Sequence, residues 1–369
     1  MTGQLIDLPV QVNTTRSVQR LPLPALTGIR FFAAMQVVFF HFGSGFAQRH
    51  GAPRLVTRLL SNGWIAVTLF FILSGFILSY TYCGQIQGGQ NRSRFWQARF
   101  ARIYPVYFLS LLLMLPFVSL NAGSAVSVLT MVQSWNPLRT FDAEAWNAPA
   151  WTLSAEAFFY LCFPFILPHF ETAKTRTLQM IILGLLGLIV FGHTMTALQS
   201  EFLARAYHLP AALVRFPEFV LGMLAGIMFM RRGAFTRAPL LTTLSLLAAF
   251  VIELTIQGVW TSLAVIPFIV LIYALASGGG VWGRVLSTKT FLLLGGASYS
   301  IYLLQVPVRD WVHAFLSRSA NLSRFDMLLS PVILVAISIG VFLYIEEPAR
   351  EFMKGRFRAS AARRVRSAA

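Results

Sequence analysis

The chain is short of charge. Asp, Glu, Lys and Arg make up only 12% of its 369 residues, about half the share of a soluble globular protein. Acidic residues are the scarcest, 13 against 30 basic ones. That shortage excludes a polar surface large enough to cover a water-soluble body of this length. Cysteine is almost missing too, with Cys83 and Cys162 alone. Two such residues make no metal-ligand spacing and no disulfide framework, so no metal site is expected. There is no tandem repeat and no low-complexity tract. No two-halves symmetry of the kind many transporters carry is visible either.

Hydrophobic residues fill the space, at 56% of the chain and a mean hydropathy of +0.67. Runs long enough to cross a bilayer recur from end to end. Spans are predicted near 25–43, 63–82, 102–120, 150–168, 178–197, 213–230, 239–257, 261–276, 291–315 and 328–346. This is the pattern of an all-α polytopic membrane protein with about ten transmembrane helices. The connecting segments alternate in charge. One set, with both termini, carries 20 of the 30 Lys and Arg; the other carries nine, and Arg30 lies within the first span. The richer side is expected to be cytoplasmic, which places both termini there. The chain then divides into a cytoplasmic segment over 1–24, a membrane domain over 25–347 and a basic cytoplasmic tail over 348–369. The polar start and the long first apolar run do not read as a cleavable signal. Topology also accounts for the net charge of +17, since seven basic residues crowd the tail from Arg350 onward. Anionic lipid suits that tail better than nucleic acid does.

Ionisable groups inside apolar runs carry the chemistry. Arg30 and His41 lie in GIRFFAAMQVVFFHF. Eleven residues return to within roughly 20° on a helix, about 16 Å along its axis. Burying Arg at a helix centre costs at least ~2.5 kcal/mol, so a polar interior is expected beside this stripe. Imidazole moves protons near neutral pH. Glu156, in WTLSAEAFFY, enters from the opposite side to a similar depth, and a carboxylate there would support a histidine base. Gln305 in SYSIYLLQ reaches that depth as well and could orient a hydroxyl or carbonyl. At the inner face, Arg99 and Arg102 are three apart and precede Tyr104; such forks suit phosphate oxygens. Glu347 in YIEEPAR ends the last span there. Arg215 and Glu218 can pair at i,i+3, and Gly222 with Gly226 allows close helix packing. The 121–150 loop holds Trp135 and Trp146 and runs into Trp151. Its rings suit a sugar, or equally an interfacial aromatic belt. Snorkelling and interhelical hydrogen bonding are the plain structural alternatives for each of these groups.

Seven strings, LPALTGIRFFAAMQVVFFHF, GWIAVTLFFILSGFILSY, RFARIYPVYF, WTLSAEAFFY, RFPEFVLG, SYSIYLLQ and YIEEPAR, together resemble the acyltransferase 3 family of bacterial membrane-bound O-acyltransferases. They follow the family order from Leu21 to Arg350. The resemblance implies transfer of an acyl group, commonly acetyl, from acetyl-CoA or another acyl-CoA to a hydroxyl of a glycan or other acceptor. It implies a place in the bacterial cytoplasmic (inner) membrane, with a glycan or lipid-linked oligosaccharide as partner and no permanently bound cofactor. It assigns essential roles to Arg30 and His41, matches Arg99 and Arg102 to an RxxR motif, and carries over Trp151, Ser154 and Glu156. Thr152 stands where Ser is usual. Gln305 stands where many members have His, so proton transfer is not carried to that position. Trp151, Ser154, Gln305 and Trp146 are the acceptor-side candidates. Acylation of a small-molecule or lipo-oligosaccharide acceptor is the alternative within the enzyme class, and a transporter using Arg30, His41 and Glu156 as a relay is the alternative outside it.

Overall fold

The structure, a computed structural model, describes residues 20–49, 51–86, 88–135, 146–198, 210–256, 262–316 and 326–353, together with residue 355. Most of the segments assigned to the cytoplasm at the two ends, and loop residues 136–145, lie outside them. In chain order the helices are α1 (Pro24–Arg49), α2 (Arg54–Ser61), α3 (Ile65–Tyr82), α4 (Gly89–Met114), α5 (Ala122–Leu129), α6 (Trp151–Thr172) and α7 (Thr175–Leu198). Then come α8 (Ala211–Arg232), α9 (Ala238–Thr255), α10 (Val265–Ala276), α11 (Gly280–Leu286), α12 (Lys289–Gly296), α13 (Ser298–Leu316) and α14 (Asp326–Val341). No strand occurs among the described residues.

Among the described residues, seven helical stretches are long and apolar enough to cross a membrane. Two bent pairs raise that number to nine if each is one span: Ser262–Ala276 with Gly280–Leu286 at 77°, and Lys289–Gly296 with Ser298–Leu316 at 53°. Thr175–Phe191 is a shorter apolar stretch. Large apolar side chains face outward along whole helices, as with Leu240, Leu244, Leu247 and Val251 on α9. Lipid, not water, suits such a stripe.

The third predicted span begins late. Its helix, α4, starts at Gly89 and carries Arg99 and Arg102 within it. The preceding RSRFWQARFAR is rich in good helix formers, so charge alone does not end the helix.

In lipid, helices gain little from apolar burial against one another, so close backbone contact takes over. α3 and α8 show this. A Cβ at Gly222 would run into the Ile72 carbonyl, and one at Gly75 into the Phe219 carbonyl. The small-residue step read from the sequence at Gly222 and Gly226 is therefore a helix crossing. Beside it, Arg215 pairs with Glu218 at 3.1 Å. Arg215 also donates to Thr68 Oγ1 at 2.9 Å, and Thr68 donates to Glu218 at 3.3 Å. Both charges are buried and locked across α3 and α8.

Contacts along α3 fix its direction. Gly63, just before it, meets Gln36 and Phe40 of α1, while the carbonyl of Cys83, just after it, accepts Arg20 at 2.9 Å. α3 thus runs back along α1. The free carbonyls at the end of α9 are met by Asn62, at 2.8 and 3.2 Å to Glu253 and Ile256, and by Arg58 at 3.0 Å to Leu254. Such partners are what an exposed helix C-terminus requires.

Candidate active site

One cavity of about 250 Å³ opens among α1, α3, α4, α6, α13 and the helical end of the chain. Each element contributes through its own periodicity. α4 supplies Arg99 and Arg102, three residues apart on one face. α6 supplies Glu156 and Tyr160, four apart, and α1 supplies Arg30. The last contributors are Glu346 and Arg350.

Glu346 reaches the cavity by a local irregularity. Residues Phe342–Glu346 form a π-helical turn after α14. A π turn inserts one extra residue and rotates the helix beyond it, and such turns gather at functional sites. Glu346 is 2% exposed and accepts a hydrogen bond from Ser300 at 3.4 Å. The charged groups acting on it are Arg102, Arg30 and Arg350. Glu347, the residue singled out in the sequence, does not itself line the cavity but pairs with Arg350, which does, at 2.7 Å. Two adjacent glutamates cannot be ranked from sequence alone, because a regular helix would not announce the turn.

The polar groups form a connected set. The hydroxyls of Ser74 and Tyr160 lie 3.4 Å apart, and both act on the Glu156 carboxylate. Arg102 and Arg30 are the cations that act on Glu156. Arg99 reaches Tyr82 Oη at 3.4 Å and lies 5.7, 5.9 and 6.0 Å from the rings of Tyr82, Phe95 and Tyr160. Its Nε is buried with no hydrogen-bond acceptor among the described residues. Tyr299 donates to Ile103 O at 2.7 Å, and Tyr302 accepts from Thr152 at 3.0 Å, so these two of the three lining phenols are held. Ser74, Tyr160, Tyr299 and Tyr302 were not singled out in the sequence. Tyr160 had a signal there, its i,i+4 spacing from Glu156.

Four guanidinium groups thus face two carboxylates in one enclosed space. The excess of positive charge is suited to an anion with several oxygens, since arginine forks match phosphate geometry.

The other expected residues are placed apart from this cavity. His41 is not among the described residues that line it. Its ring meets Phe40 edge-on at 5.1 Å, and the charge acting on it is that of Arg309. The expected support of His41 by Glu156 is therefore not made. Depth fixes only one coordinate, and the rotation of α6 turns Glu156 toward Arg30 and Arg102. Tyr104 donates to Leu129 O at 3.2 Å and stacks on Phe100 at 4.5 Å. Ser154 is fully buried, accepting Ser134 N–H at 3.0 Å. Trp151 meets Phe71 edge-on at 6.3 Å. Gln305 is buried and donates to Tyr302 O at 2.6 Å. Trp146 has the left-handed φ of 68°, uncommon for a bulky residue. It precedes Asn147, whose Nδ2 anchors this loop on Ser110 at 3.1 Å and Leu303 O at 3.0 Å. No group of three His, Cys, Asp or Glu that could hold a metal occurs among the described residues.

Comparison with known proteins gives a consistent picture. Residues 23–347 match the family described as Acyltransferase domain. The chain is 30% identical to "Acyltransferase MdmB" of Streptomyces mycarofaciens over 331 residues, covering 82% of this chain and 83% of that protein. It is 23% identical to "O-acetyltransferase OatA" of Staphylococcus aureus over 330 residues, 79% of this chain and 51% of the relative. A third relative, "Peptidoglycan O-acetyltransferase OatA" of Listeria monocytogenes, is 26% identical over 195 residues, 48% of this chain and 29% of that protein. The chain thus spans about half the length of the staphylococcal relative. No solved structure matches it.

Proposed function

This chain belongs to the acyltransferase-domain family, and from that premise we propose that it is an integral membrane O-acyltransferase. The proposed reaction carries an acyl group, in the simplest case acetyl, from acyl-CoA to a hydroxyl of a cell-surface or exported glycan. The observation that carries the donor half is the cavity, where Arg30, Arg99, Arg102 and Arg350 outnumber Glu156 and Glu346. Phosphates of coenzyme A would bind Arg99, Arg102 and Arg350. Glu346 and Glu156 hold the guanidinium groups apart and in place until the anion arrives.

His41 is the proposed general base. It takes the proton from the acceptor hydroxyl as that oxygen attacks the thioester carbon; the carbon–sulfur bond then breaks, and the thiolate leaves. Alternatively the imidazole accepts the acyl group itself and passes it on. Arg30 is about 16 Å away along the same helix, and helical side chains lean toward the N-terminus. It is thus suited to guiding the donor arm and is too far to share a carbonyl oxygen with His41. The acceptor half rests on the names of relatives that act as O-acetyltransferases, one of them on peptidoglycan.

The test is transfer of labelled acetyl from acetyl-CoA in proteoliposomes, with mass analysis of surface glycans from cells with and without the protein. Acetyl-CoA hydrolysis or transfer, and a missing acyl group in the deletion, are expected. Solute flux without any acylation would instead establish a transporter.

A further inference from the structure

Both α7 and α10 pack against α8. Between them lies a second groove, of about 350 Å³, distinct from the arginine cavity. Its walls are three helical stripes: Ile182 and Leu183 on α7, Ala225 and Met228 on α8, Ile269 and Val270 on α10. On α8 the stripe runs from Ala225 to Arg232, seven residues, or about 10 Å. Leu183 is 68% exposed, so the groove opens sideways toward the bilayer. One end is polar, with Arg232 and Gln179. It is also rigid, because Phe235 stacks on Tyr273 at 4.1 Å and Tyr273 donates to Gly233 O at 2.9 Å.

Arg231 and Arg232 differ. Arg231 is occupied, donating to Ala173 and Glu171 carbonyls at 2.7 Å each and to Phe170 O at 3.3 Å. Arg232 is exposed and makes no hydrogen bond or ion pair among the described residues. It stands where α8 ends, at the level of the headgroups for a spanning helix. An apolar slot of this kind left empty forfeits packing contacts along its walls, and it offers water few polar partners.

We infer that this groove holds an acyl chain of an anionic phospholipid whose phosphate rests on Arg232. The apolar stripes select a hydrocarbon chain, and the unengaged guanidinium selects the charge. The site is independent of the transfer reaction.

The experiment uses the full chain, reconstituted in vesicles of phosphatidylcholine with a minority of phosphatidylglycerol, extracted in mild detergent and weighed with its retained lipids by native mass spectrometry. Wild type should retain phosphatidylglycerol over its vesicle share, with about fivefold of that enrichment owed to Arg232, the effect of one cation near a headgroup. Arg232→Gln should lower that enrichment by about fivefold relative to wild type while still retaining some lipid. Val270→Phe, which fills the slot, should lower retention of both lipids. Arg284→Gln, an exposed cation outside the groove, should behave as wild type. Enrichment that Arg232→Gln leaves undiminished, or full retention in Val270→Phe, overturns the inference. Arg232 is at the surface, so its variant keeps the test decisive even if Val270→Phe folds poorly.

Discussion

Glu346 and Glu347 are chain neighbours with opposite surroundings: one is buried against Ser300 and three arginines, the other is half-exposed in a pair with Arg350. Glu346→Gln should therefore lower kcat/KM for acyl-CoA by about tenfold or more, roughly 1.4 kcal/mol of transition-state stabilisation. Glu347→Gln should change it little, because a partly exposed ion pair contributes about 1 kcal/mol at most. Steady-state kinetics on the two variants checks this, and equal effects would contradict the placement. His41→Ala should cost about a hundredfold or more in transfer, the scale of general-base loss, while leaving the purified protein monodisperse. Glu218→Ala should act on folding, since it leaves Arg215 buried and uncompensated, at about 3–5 kcal/mol. Its thermal unfolding in detergent is the measurement. Arg30 and Glu156 were legible as lining residues of this cavity because a charge in an apolar run is costly wherever it points, and Arg99 and Arg102 through their i,i+3 spacing at the inner face. Ser74, Tyr160 and Tyr302 were not, because hydroxyls in such runs are cheap and common. Tyr104, Ser154 and Gln305 show the converse: a polar group at the expected depth is engaged in holding helices and loops together.

At the scale of helices, hydropathy marked most elements well, and the misreadings share one cause. Hydropathy reports where lipid begins, whereas a helix ends only where its backbone bonding fails. So α4 runs back from the apolar stretch to Gly89, and the bend between α12 and α13 falls inside the predicted span 291–315, whereas α10 ends at Ala276, where its predicted span ends, before the break over 277–279. The π turn at Phe342–Glu346 is invisible for the same reason. The crossing of α3 and α8 is the element-level feature the sequence did announce, through Gly222 and Gly226. Gly222→Val should break it, because the added carbons meet the Ile72 backbone, which cannot rotate aside. Overpacking of this kind costs about 1–3 kcal/mol or more. Gly340→Val, where a Cβ meets nothing within 4 Å, is the matched control. Thermal stability in detergent should fall for the first and hold for the second.

For the whole molecule, the relation between the cavity and His41 decides how the reaction can run. Packing fixes the axial levels. Gly295 touches Thr27 and Gly28, so α13 begins near the base of α1, and Arg309 further along it acts on His41. The two helices therefore run side by side in the same direction. Between the levels of Arg30 and His41 lies a separate apolar cluster that includes Ala34, Val38, Ile301, Leu304 and Val308. In the proposed reaction, a donor held by the arginines would have to pass its thioester along this cluster to meet an acceptor from the far side. The cavity must then be reached from the membrane face that carries Arg99, Arg102 and Arg350. A cysteine at Ile77, an apolar lining position outside the polar network, tests that path. In a background with Cys83→Ser and Cys162→Ser, Ile77→Cys should react with a membrane-impermeant maleimide in inside-out vesicles and be inert in intact spheroplasts. Acetyl-CoA should slow the labelling in the vesicles, and Arg102→Ala should weaken that protection. Labelling from the outer face would reverse the proposed orientation. Labelling from the inner face that acetyl-CoA leaves unchanged would remove the donor from this cavity, and with it the route by which a thioester could approach His41.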